Sequence, residues 1–133
     1  MKSNSDIRPA TIQPLGNGAY HYNYNVVERT ETDPETGEEK TVYDYDTVLF
    51  YDEATYEKLV KAVIREEIDE TKEFSYVNDY NATVLGVITD AAKKTEAKAA
   101  YKEYLQFVVD VKAMVKHDLG LDAADEANAN AEE

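Results

Sequence analysis

Cysteine and tryptophan are both absent from the 133 residues. Without cysteine there is no disulfide framework, no thiolate zinc site and no thiol nucleophile. Histidine is scarce: His21 and His117 stand at opposite ends of the patterned chain, with no metal-ligand spacing between them. Base is outnumbered, with 14 Lys+Arg against 28 Asp+Glu and a net charge of −14. That is the wrong sign for a nucleic-acid-binding domain. No apolar run approaches the ~20 residues of a membrane span, and the polar opening Met-Lys-Ser-Asn-Ser-Asp lacks the core of a secretory signal. The glycines form no phosphate loop, because Gly16-Asn17-Gly18 has no downstream Gly-Lys-Ser/Thr. These absences predict a small, soluble, intracellular domain that is not an enzyme. The same reading expects no cofactor, no metal, and neither nucleic acid nor membrane as partner.

What is present is acid, unevenly spread, and tyrosine. Residues 118–133 hold six acids and no base, and their Ala/Asn-rich composition predicts a disordered acidic tail. Residues 93–116 hold six lysines and three acids, so one helix is basic within an acidic chain. Lys94, Lys98 and Lys102 repeat at i, i+4 and i+8 and share a helix face. That face suits an acidic partner, another copy of the chain included. Eleven tyrosines are many for this length. A tyrosine joins apolar area to a hydrogen-bonding tip, which fits both a core and a protein interface.

The pattern along the chain predicts an α+β fold. Residues 1–18, with Pro9, Pro14, Gly16 and Gly18, read as an extended arm. Residues 19–51 read as an antiparallel β-hairpin. Tyr20, Tyr22, Tyr24 and Val26 alternate on its first strand, and Tyr43, Tyr45, Thr47, Leu49 and Tyr51 on its second. The segment Asp33-Pro34-Glu35-Thr36-Gly37-Glu38 supplies the turn. Placing Asp33 against Glu38 sets Tyr20 opposite Tyr51, Tyr22 opposite Leu49, Tyr24 opposite Thr47 and Val26 opposite Tyr45. All the hairpin tyrosines then share one face. Residues 52–117 read as two or three helices under the hairpin. The first covers 52–69, with the stripe Tyr56, Leu59, Val60, Val63, Ile64 and a cap at Asp52 or Thr55. A shorter one is capped at Thr71, with Phe74, Val77, Tyr80 and Val84 inward. The last runs from about Asp90 to His117, with Ala97, Ala100, Tyr101, Tyr104, Leu105, Val108, Val111, Met114 and Val115 on one side. Residues 1–117 are thus expected to form a single domain.

Candidates for chemistry are few. Asp44 and Asp46 share a strand face and, with Asn23 or Asn25, offer oxygen ligands to a hard cation. Exposed strand carboxylates without an EF-hand spacing ordinarily bind nothing, so no metal is expected. The candidate interface residues are Tyr20, Tyr22, Tyr24, Tyr43 and Tyr45 on the hairpin. Lys94, Lys98, Lys102, Tyr101, Tyr104 and Phe107 are those on the last helix.

The segments IRPATIQPLGNGAYHYNYNV, YDYDTVLF, TYEKLVKAVIRE, EFSYVNDYNA and YKEYLQFVVDVKAMVK resemble small proteins encoded among tail genes of phages and prophages of gut bacteria. The final helix is similar to the C-terminal helix of tail-fibre assembly proteins. Tyr101, Tyr104 and Phe107 fit its aromatic positions and Lys112 a later basic one, while Val108 stands where that helix carries Arg. The resemblance implies a non-enzymatic, virion-associated or assembly protein acting on a tail or fibre component, in the host-cell cytoplasm during assembly or in the virion. A different reading starts from charge: a small acidic phage protein can mimic DNA and inhibit a host defence nuclease.

Overall fold

The computed structural model describes residues 2–121. The fold is α+β, with β1 (Lys2–Ser5), β2 (Ile12–Gly16), β3 (Ala19–Thr32), β4 (Glu39–Tyr51), α1 (Tyr56–Glu67), α2 (Glu70–Val84) and α3 (Ala91–Asp118). The chain divides into two compact units, Met1–Ala62 and Val63–Glu133. The acidic tail expected over 118–133 lies, from residue 122 on, outside the described residues.

The first unit is built on a four-stranded antiparallel sheet in the order β1-β4-β3-β2. Its centre is the expected hairpin. At the turn Gly37 takes a φ of +73°, its N–H donates to Asp33 O at 2.8 Å, and Asp33 Oδ1 accepts from Glu35 N at 2.8 Å. The pairs from Thr32↔Glu39 to Val27↔Asp44 follow the expected register. Beyond them a β-bulge at Asn25 and Val26 shifts the ladder by one residue. Asn25 enters the left-handed region at φ 52°, which asparagine tolerates better than most residues.

The shift corrects the expected pairs: Tyr20 faces Phe50, Tyr22 faces Val48 and Tyr24 faces Asp46. A one-residue slip exchanges the faces of a strand. Tyr20, Tyr22 and Tyr24 therefore lie with Val42, Val48 and Phe50. Tyr43 and Tyr45 lie on the opposite face with Asn23 and Thr47. The hairpin tyrosines do not form one surface.

The N-terminal segment is extended, as expected, and paired into the sheet at both ends. Its two ends are the edge strands of the sheet: β1 pairs along β4 from Lys2↔Asp46 to Ser5↔Tyr43, and β2 along β3 from Ile12↔Tyr22. The link between them passes from one outer edge to the other, a span of ~14 Å at the usual strand spacing. It crosses the face bearing Tyr43 and Asn23. The Arg8 guanidinium lies 5.9 Å from the centre of the Tyr43 ring, and Asn23 Nδ2 donates to Ala10 O at 2.8 Å.

α1 starts later than expected. Asp52 sits at φ 69° in a turn, and Thr55 Oγ1 accepts from Lys58 N at 3.3 Å as the helix cap. In the second unit Asp69, rather than Thr71, caps α2 by accepting from Lys72 N. Asp90 caps α3 by accepting from Lys93 N. α2 ends at Val84, with Gly86 at φ +78° just past it. α2 and α3 pack antiparallel: Tyr76 meets Tyr104 at 5.7 Å between ring centres and Tyr80 stacks on Tyr101 at 4.4 Å. The packed face of α2 is thus Glu73, Tyr76, Tyr80 and Thr83. Phe74 lies about 160° round the helix from Tyr76. Phe74 and Val84 are each 61% exposed, against the expectation that they point inward, while Tyr80 is packed as expected.

Candidate functional site

The hairpin tyrosines divide between core and surface. Tyr22 and Tyr24 are buried, with ring centres 5.1 Å apart, so neither can meet a partner, contrary to the sequence expectation. Tyr20 is half-buried and stacks on Phe50 at 5.4 Å. Tyr43 and Tyr45 are half-buried on the other face. The physical reason is the bulge, which turns the first strand's tyrosines toward the core face that Val48 and Phe50 define.

On α3, Tyr101, Tyr104 and Phe107 are all half-buried. Tyr101 and Tyr104 are engaged within the second unit by α2. The Tyr104 hydroxyl donates to Glu73 Oε2 at 2.6 Å, and Glu73 Oε1 accepts from Arg65 Nη2 at 2.8 Å. Arg65 also approaches Glu70 at 3.7 Å. Burial, with the Glu73 hydrogen bond second, pushes the Tyr104 hydroxyl up to about 12. The Arg65 and Tyr104 hydrogen bonds hold Glu73 below its ordinary value. The Glu73 bond raises Arg65 in turn. This network joins α1, α2 and α3, so its role is structural. Periodicity could not find it, because its members lie far apart in sequence and two of them are charged.

The sheet carboxylates are also occupied by the chain itself. Asp44 accepts from Arg29 Nε at 2.6 Å. Asp46 receives Lys2 Nζ at 3.5 Å and Asn25 Nδ2 at 3.3 Å. Among the described residues no three His, Cys, Asp or Glu are gathered so as to hold a metal ion. His21 is half-buried opposite Leu49.

The lysines behave differently. Lys98, Lys102 and Lys112 are exposed and Lys94 is half-exposed. None of the four forms an ion pair with another described residue. At about 100° per residue, Lys94, Lys98, Lys102, Leu105, Val109 and Lys112 fall within an arc of about 80° on α3. Leu105 and Val109 are 43% and 58% exposed in the middle of that row. The buried Ala97, Val111 and Val115 lie roughly a quarter-turn or more to one side. The acids Glu96, Glu103 and Asp110 lie well round the other way. This row is a cationic, partly apolar surface on a chain of net charge −14. The sequence reading found its first three lysines but placed Leu105 inside.

The described residues include no helix long and apolar enough to cross a membrane. Comparison with known proteins gives no match: neither a family model, nor a curated protein, nor a solved structure matches this chain.

Proposed function

We propose that this chain is a non-enzymatic structural or assembly protein of a phage tail, working through protein–protein contacts, with α3 as the contact helix. The observation that carries the binding role is the exposed row from Lys94 to Lys112, which has neither ion pairs among the described residues nor a covering element on Leu105 and Val109 within its own helix pair. Three lysines four apart repel one another in the free protein. A surface that keeps such a conflict is more simply accounted for by a ligand than by stability. The tail setting rests on the sequence resemblance.

The nuclease-inhibitor reading has less support. Its support is the net charge; of the ordered carboxylates, Asp44, Asp46 and Glu73 are engaged by cations of the chain itself, while Glu57, Glu96 and Glu103 stand exposed.

Co-expression with tail and fibre proteins, followed by co-purification, tests the reading. A stable complex with one of them is expected, and its loss in a Lys98→Glu/Lys102→Glu variant that still folds. Purified protein that binds no tail or fibre component would reject it.

A further inference from the structure

We infer that the α3 row accepts an acidic amphipathic helix of a partner protein, lying along α3. The inference rests on the protein-contact reading above and names the chemistry of the contact. The row runs from Lys94 to Lys112, ~27 Å of helix and five turns. Lys94, Lys98 and Lys102 stand one turn apart, about 6 Å between neighbours. Acids at i, i+4 and i+8 on a facing helix repeat at that same interval. Leu105 and Val109, again one turn apart, follow directly. They match apolar side chains on the next turns of the same helix. Lys112 closes the row. A ligand that satisfies the whole row therefore has an acidic stretch, an apolar pair and a final acid on one face.

Three other occupants fit less well. A second copy stacked antiparallel on α3 would set Lys94 against Lys112 and Lys98 and Lys102 against Val109 and Leu105, giving none of the lysines an acid. A nucleic acid would meet the lysines but leave Leu105 and Val109 against phosphate, and it would be repelled by a net charge of −14. The chain's own residues 122–133 bring five acids but no large apolar residue, so they would pair the lysines and leave the apolar pair uncovered.

The test uses the full chain and a capped, alanine-based peptide of about 20 residues, long enough to be helical. The peptide carries three Glu four apart, then two Leu four apart, then one Glu on the same face. A scrambled peptide of the same composition spreads these residues round the helix. The ordered peptide is expected to bind at least about tenfold tighter than the scrambled one, a difference of about 1.4 kcal/mol. Lys98→Glu/Lys102→Glu should abolish that preference while keeping the parent's helix content and a cooperative melt, and Leu105→Ala/Val109→Ala should reduce it. Equal binding of both peptides would show polyanion attraction alone and overturn the inference. So would binding that is unchanged in the lysine variant.

Two further outcomes reassign the row. If changing the five acids of 122–133 to amides tightens peptide binding about tenfold, the occupant is the chain's own C-terminal segment. If light scattering shows a dimer that the lysine variant dissociates, the occupant is a second copy. Co-purification with a tail protein but no ordered-peptide preference would overturn this chemistry only. The reverse result would overturn only the tail assignment.

Discussion

The Tyr104 hydroxyl is one atom on which three helices depend. It donates to Glu73 on α2, and Glu73 holds Arg65 on α1. Hydrogen bonds to a charged acceptor contribute more than neutral ones. Tyr104→Phe should cost about 1–2 kcal/mol at neutral pH, read by chemical denaturation. The pH dependence has a definite sign. Tyr104 titrates at about 12 in the folded chain, above the ordinary tyrosine value. Its contribution is therefore whole below the ordinary value and is lost as pH rises through about 12. Glu73 is shifted down, so its contribution is whole at neutral pH and is lost as pH falls through its depressed value. The stability gap between parent and Tyr104→Phe should be flat near neutrality and close in strong alkali. A gap that widened there would contradict the assignment. Asn25 makes a second residue-scale prediction. At φ 52° a β-branched side chain is strained. Asn25→Val should destabilise by about 1–2 kcal/mol, and Asn25→Gly should be nearly neutral by the same measurement.

Among the elements, α3 combines a stabilising cap with a destabilising row. Lys98 has a lysine one turn away on each side. In Lys98→Glu both repulsions become attractions, and each pair contributes about 0.2–0.5 kcal/mol of either sign. The variant should therefore be more stable than the parent by about 1 kcal/mol in thermal or chemical unfolding. Destabilisation instead would mean that Lys98 supports the fold. The same helix shows what the sequence discloses. Its start at Asp90, its stop beside Gly120 and most of its buried side follow from capping and from the spacing of apolar residues. The exposure of Leu105 does not, since residues 97–115 hold more apolar positions than one packed face can take. α2 was harder to read because its packed face is tyrosine, glutamate and threonine, and its one phenylalanine points away. The hairpin's loop and near half were legible from turn chemistry. Its far half was not, because alternation carries no mark of an inserted residue, and Asn25 looks like any polar strand position.

Charge acts at the scale of the whole chain. A net −14 over 15.0 kDa loads the folded state with self-repulsion that salt screens. The thermal midpoint should rise between roughly 0.01 and 0.1 M NaCl, where the Debye length falls from about 30 to 10 Å. Peptide binding at α3 should weaken over the same range. A midpoint that fell with salt would mean that attractive pairs, such as Arg29 with Asp44, outweigh the net repulsion. The sheet carries a consequence for the order in which it can form. Both of its outer strands come from the first 16 residues, and both inner strands from residues 19–51. During synthesis the outer strands leave the ribosome first, yet β1 has nothing to pair with until β4 exists, some 40 residues later. The hairpin, closed by a short turn, is the cheap local contact, and β1 onto β4 is the costly distant one. The first strand of the sheet thus waits for the last, and only their pairing draws the strap across the face between the two edges.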